Sequence, residues 1–200
     1  MQSKLVKGPR FTDKIFEPYV MAIGQLALAW NDLHEKLGWL FATFLTPGEL
    51  APLLWNAPQF DRQKRALLEA ATNAMPPLTQ SDYPRLKEDI LWLLKQVNSL
   101  EDARNTAIHS PLLAQSDRDV LVFGVTISIR SVAPNLWLQN SRAMKLAQKD
   151  LLTEFRWCRD AALLLRDYAL SLDYATMPED YPWPDRPSLP NRGQKKARSK

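Results

Sequence analysis

Three long stretches of this chain repeat their apolar residues every three or four positions. Phe16, Val20, Ile23, Ala27, Trp30, Leu33, Leu37, Leu40, Phe41 and Phe44 form the first stripe. Leu86, Ile90, Leu93, Leu94, Val97, Leu100 and Ala107 form the second. Leu151, Phe155, Cys158, Ala162, Leu165, Ala169 and Leu172 form the third. This is the period of a helix with one apolar face, which is stable only when that face packs on another element. The expected fold is therefore all-α, a bundle of four to five helices.

Local signals place the boundaries. The first helix is expected from about 13 to 45, ending at Thr46-Pro47-Gly48, with a short one following over 49–55. A third is expected over 60–75, with Leu67, Leu68, Ala71 and Ala74 inward and Pro76-Pro77 as its stop. Ser81 or Asp82 can cap the next, with Pro84 in its first turn. Pro111 forces the preceding backbone towards an extended form and ends that helix near His109.

Beyond Pro111 the period changes. Val120-Leu121-Val122-Phe123 and Val125-Thr126-Ile127-Ser128-Ile129-Arg130 are β-branched, and the second alternates with period two. This predicts a small β-hairpin around 118–138, within an insertion of about 112–138. After Met177 come five Pro by Pro190 and then a basic end, a composition expected of a disordered, Pro-rich basic tail over 177–200. Residues 1–176 are expected to form a single helical domain.

Composition narrows the class. Seven Trp and seven Phe among 200 residues exclude a wholly disordered chain. Six Gly against fifteen Pro argue against a glycine-rich phosphate loop, and no cofactor is expected. One Cys and two His leave too few ligands for a cysteine or histidine metal cluster, so no metal is expected either. The net charge of +4 is carried by the last nine residues, whose five cations leave −1 for residues 1–191. A body that gripped duplex DNA through its phosphates would itself be basic. No signal-peptide pattern or membrane span is apparent, which predicts a soluble, cytoplasmic protein with no membrane partner.

One polar constellation interrupts the second stripe. In Glu101-Asp102-Ala103-Arg104-Asn105-Thr106-Ala107-Ile108-His109, the side chains of Glu101, Asn105 and His109 form a column at four-residue steps. Arg104 stands about 140° from His109 on an ideal helix. The two converge only across a distorted last turn or across two copies of the helix.

Arg104-Asn105-x-x-x-His109 resembles the R-x4-6-H motif of HEPN domains, which place it at the end of a long helix in a helical bundle. The helical pattern agrees over roughly residues 13–175. The resemblance implies a metal-independent endoribonuclease of a toxin–antitoxin or phage-defence type system, working on RNA as a homodimer whose two motifs meet in one cleft. It implies His109 as general acid/base, Arg104 as phosphate and transition-state ligand, Asn105 as positioning group, and 2′,3′-cyclic phosphate and 5′-OH ends. A cognate antitoxin or defence-system partner is part of the same expectation. Other HEPN proteins have lost activity and serve as binding or assembly modules. The chain also resembles a set of uncharacterised bacterial proteins of similar length, through Arg104–His109, Asp150–Asp160 and Pro182–Pro187.

Physical chemistry agrees with such a motif. Cleaving RNA without a metal needs a group to take the 2′-OH proton, and a cation to stabilise charge on the phosphorane. The plainer alternative is a structural helix end, with Asn105 and His109 terminating the helix and Arg104 paired to Glu101. Glu101, Asn31 and His34 are candidate supporting residues, the last two if the first helix faces Arg104. Cys158 reads as a small core residue, and the Trp residues mostly as core.

Overall fold

The computed structural model describes residues 14–43, 50–109, 112–115, 120–123, 150–177 and 181–192. A single 3-10 turn at Lys14–Phe16 leads into α1, Glu17–Thr43. Then come α2 (Leu50–Asn56), α3 (Asp61–Asn73), α4 (Pro77–Asp82) and α5 (Leu86–His109). Strand β1, Leu112–Gln115, pairs antiparallel with β2, Val120–Phe123, and α6 spans Leu151–Tyr174.

The three apolar stripes meet as the core. Leu26, Leu33, Leu37 and Leu40 of α1, Ile90, Leu93, Val97 and Leu100 of α5, and Phe155, Cys158, Leu165 and Leu172 of α6 are fully buried. Burying each such side chain contributes about 1.5–3 kcal/mol. The principal pair is α1 with α6, and α5 packs on α6. Gln25, Asp32 and Thr43 of α1 bond to Arg159, Arg166 and Asp173 of α6 in the same order along both helices, so the two run parallel. Leu100 faces Cys158 while Trp92 faces Tyr168, so α5 runs antiparallel to α6. The all-α expectation holds.

Local chemistry explains the ends. Asp150 caps α6, its Oδ1 accepting from the backbone N–H of Leu152 (3.1 Å) and Thr153 (3.4 Å). Such a cap is worth about 1 kcal/mol. The stop expected at Pro76-Pro77 is also a start. Pro77 opens α4, because a proline lacking an N–H is tolerated at the first helical position. Ser81 and Asp82 fall inside that short helix, and α5 begins beyond Pro84, at Leu86. On α3 the inward stripe is rotated from the expected one: Arg65, Leu68 and Thr72 are buried and Ala74 is exposed.

The strand expected at Val120–Phe123 is present, but its partner is the upstream Leu112–Gln115. The second strand expected at Val125–Arg130 lies outside the described residues. The flexible tail is a correction over 181–192. That segment is strapped across the bundle by its aromatic and basic side chains, which find partners on α5 and α6. Asp89 is fully buried and accepts Trp183 Nε1 at 2.8 Å and Arg186 Nε at 2.6 Å. Arg186 also donates to Glu88 at 2.7 Å, and these two carboxylates raise its pKa. Farther along, Trp157 Nε1 donates to the Pro190 carbonyl at 2.7 Å, and Arg192 pairs with buried Glu154 at 2.8 Å. A Pro-rich run makes a good strap, because its backbone is already stiff before it docks. Residues 193–200, which hold the remaining tail cations, lie outside the described residues.

Among the described residues no helix is long and apolar enough to cross a membrane.

Candidate functional site

A polar cluster sits where α1, α3 and α5 meet. Helix α1 supplies Trp30 and His34, one turn apart. Helix α3 supplies Asp61 and Arg65, again one turn apart, and α5 supplies Asn98, Glu101, Arg104 and Asn105. Trp30 Nε1 donates to Asp61 Oδ2 at 2.8 Å, and His34 contacts Arg65 at 3.1 Å. These two parallel rungs hold α3 in register on α1.

Arg65 is the hub. It is 3% exposed, yet its guanidinium is fully engaged: Nε donates to Asn98 Oδ1 at 2.7 Å, Nη1 to His34 Nε2, and Nη2 to Glu101 Oε2 at 3.0 Å. Burial lowers its pKa, and the Glu101 and Asp61 carboxylates work against that fall. An arginine stays charged under such pressure.

His34 is neutral. Burial pushes its pKa down to about 4, outweighing the favourable pull of Asp61 and of the Trp30 carbonyl. Its ring nitrogens agree with that state. Arg65 can only donate, so Nε2 accepts, and Nδ1 carries the proton towards the Trp30 carbonyl at 3.0 Å. The guanidinia of Arg65 and Arg104 lie 5.6 and 5.5 Å from the Trp30 ring centre, a cation–π arrangement that offsets part of their desolvation.

Asp61 is half-buried. Burial disfavours its charge, but the His34 ring, which gains charge only at the low pH where Asp61 itself titrates, the Trp30 N–H and the Arg104 and Arg65 guanidinia outweigh it, holding its carboxyl below the ordinary range.

Of the residues singled out in the sequence, Glu101, Arg104, Asn105 and His34 come together here. Arg104 Nη1 donates to Asn105 Oδ1 at 3.0 Å, Asn105 Nδ2 lies 3.5 Å from Glu101 Oε1, and Arg104 Nη2 pairs with Asp61 at 3.4 Å. The alternative pairing of Arg104 with Glu101 is not the one observed, because Arg65 holds Glu101 from the other side. The side chain of Arg104 is 21% exposed, with Nε buried and without a hydrogen-bond partner. Asn31 is exposed beside the cluster. His109 is the last residue of α5 and is exposed. Among the described residues no hydrogen bond or ion pair joins it to Arg104.

Sequence reasoning missed Trp30, Asp61, Arg65 and Asn98. The signal for two of them was present: Asp61, Arg65, Leu68 and Thr72 recur at steps of four, three and four, so two charges share the apolar face of α3. Cys158 is fully buried, and burial pushes its thiol up to about 12, so it packs rather than reacts. Among the described residues no group of three or more His, Cys, Asp or Glu is placed to hold a metal ion.

No family model, curated protein or solved structure matches this chain.

Proposed function

We propose that this chain is a HEPN-like, metal-independent endoribonuclease, with RNA as substrate and a second copy of itself as partner. One observation carries the reading: Arg104 and Asn105 are bonded to each other on a partly exposed edge of a rigid cluster, and an exposed His109 follows one turn later on the same helix. Arg104 and Asn105 are phosphate ligands, and Glu101 and Asp61 hold them in place. His109 is the acid/base, and it acts across a homodimer, because its own helix directs it away from Arg104.

In the reaction the 2′-oxygen attacks phosphorus as its proton passes to a His109 imidazole. The bond from phosphorus to the 5′-oxygen breaks, and that oxygen leaves with a proton given by His109 of the second copy. Charge on the phosphorane is met by the Arg104 guanidinium, which can bind two oxygens at once. A toxin–antitoxin or phage-defence setting, with its cognate partner, belongs to the same proposal.

A second reading is a HEPN-like module that binds RNA, a nucleotide or a partner protein without turnover. The Asp61–Arg104 ion pair favours it, since a guanidinium already paired has less charge to offer a phosphorane.

The test compares wild type with His109→Ala on a mixed cellular RNA pool in EDTA, mapping new 5′-OH ends. Ends from wild type that vanish in the variant are expected. Binding that Arg104→Ala weakens, with no ends from either protein, is the result that selects the second reading.

A further inference from the structure

The polar cluster has an open side. Between α1, α2 and α3 lies a cleft of about 430 Å³, lined by Asn31, His34, Trp39, Asn56, Asp61 and Lys64 among others. Sites for small ligands run from about 300 to 1,000 Å³ and set a few polar groups among apolar walls. This lining offers two indoles, an imidazole, the carboxylates of Glu35 and Asp61, two amides and an ammonium, which is the chemistry of a nucleotide rather than of a lipid or an aliphatic metabolite.

Two tryptophans flank the cleft and differ in use. Trp55 is a core residue, 7% exposed, with its ring against Phe41 at 5.6 Å. Trp39 is 42% exposed, and Lys36 lies 3.6 Å from its ring centre. Lys36 covers one face of that indole, and the other face, at the edge of a polar cleft, is a stacking surface of the kind on which nucleic-acid bases lie.

Glu35 is held by the Lys36 ammonium at 3.0 Å, so Asp61 is the carboxylate that chooses the base. Asp61 meets both Trp30 and Arg104 through Oδ2. An ionised carboxylate only accepts hydrogen bonds. Guanine alone presents two adjacent donors, N1–H and the exocyclic N2–H, on its Watson–Crick edge. Adenine and cytosine set a ring-nitrogen acceptor beside their amino group, and uracil flanks its single N–H with carbonyls. Both amino-bearing alternatives bring a lone pair against the carboxylate, which is a costly mismatch when desolvated.

We infer that the cleft binds a guanine base of single-stranded RNA, stacked on Trp39, with its N1–H and N2–H both donated to Oδ1 of Asp61, the oxygen that Trp30 and Arg104 do not use, and its phosphate near Lys64. The inference rests on the RNA-directed reading for the source of the base, but its test requires no turnover. The same carboxylate holds Arg104, so base recognition and the phosphate ligand share one anchor.

The experiment titrates the full-length protein with 5′-GMP and 5′-AMP by calorimetry, alongside Trp39→Ala, Asp61→Asn and Lys64→Ala. GMP is expected to bind at least tenfold more tightly than AMP. Asp61→Asn should erase that preference, and Lys64→Ala should weaken both nucleotides alike. Asp61 also supports the cluster, so Trp39→Ala is the independent variant: it leaves the core intact and should weaken GMP at least fivefold with unchanged circular dichroism. Equal affinity for the two nucleotides, no binding of GMP, or GMP binding indifferent to Trp39→Ala overturns the inference. RNA cut in a His109-dependent way without GMP binding sinks this inference alone. GMP preference without any cleavage leaves the pocket standing and removes the nuclease.

Discussion

Arg65 Nη1 lies 3.1 Å from His34 Nε2, so a buried cation donates to a histidine that must stay neutral to receive it. The contact ties α1 to α3 and makes protonation of His34 incompatible with the folded cluster. A proton on Nε2 would face a guanidinium with no acceptor left between them.

The pH dependence of stability follows. His34 has a folded-state pKa of about 4 against an ordinary 6.5. Its contribution is fully present above 6.5 and is lost as pH falls towards 4, because the unfolded chain takes up a proton that the folded chain refuses. The loss amounts to about 3 kcal/mol across that window. Urea unfolding of wild type and His34→Gln at a series of pH values checks it. The gap between the two proteins should change by about that amount, and a constant gap would place the acid sensitivity elsewhere.

Arg65 is the residue on which the cluster depends most. Arg65→Ala removes the donor to His34, Asn98 and Glu101 together and leaves a half-buried carboxylate without its cation. A loss of about 3 kcal/mol or more is expected in equilibrium unfolding. Arg65→Lys should recover only a fraction, since one ammonium cannot span three acceptors set around a planar fork.

The strap is expected to contribute measurably to stability. Arg186→Ala or Trp183→Ala takes a donor from Asp89, whose carboxylate is 0% exposed, and Arg186→Ala leaves Arg85 at 3.5 Å as the nearby cation. Each variant should lose about 2 kcal/mol in chemical denaturation. Limited proteolysis should cut the variants sooner between 181 and 192. Wild-type stability in both would return the segment to the loose tail that its composition suggests.

Two glycines of α1 make an internal control. A Cβ at Gly24 meets nothing within 4 Å, whereas one at Gly38 falls 2.7 Å from Nε1 of Trp55. Gly24→Ala should stabilise by up to about 1 kcal/mol through helix propensity. Gly38→Ala should cost about 1–3 kcal/mol, because α2 must back away from α1. Thermal melts of the two variants should move in opposite directions.

What was legible in the sequence is what periodicity encodes. The stripes of α1, α5 and α6 are long, and most of their members, among them Trp30, Leu33, Leu93 and Leu172, went to the core, while Val20 at the start of α1 stayed exposed and Leu26 was buried in its place. The end of α5 at His109 was legible because Pro111 acts on the backbone locally. Partners distant in sequence were not. Nothing near Glu101 announces Arg65, and nothing near Asp89 announces Trp183 and Arg186. Composition misled at 181–192 for a physical reason: proline content reports stiffness and poor helix formation, and a stiff non-helical segment can dock as well as hang free. The bond from Arg104 to Asn105 was not foreseen, the sequence having suggested Glu101 as the partner of Arg104, and the rung from Asp61 to Arg104 required α3 to lie against α5.

The buried Asp89 carboxylate also sets a clock on synthesis. Its donors Trp183 and Arg186 stand 94 and 97 residues later in the chain. At about 5–20 residues per second, translation takes roughly 5–20 s to cover that distance. For most of that interval α5 (Leu86–His109) is already made, with a carboxylate at its N-terminal end that has neither its indole nor its close guanidinium. The helices can associate early, but the bundle is not sealed until its strap has left the ribosome, and a nascent chain stalled short of Arg186 carries an open seam.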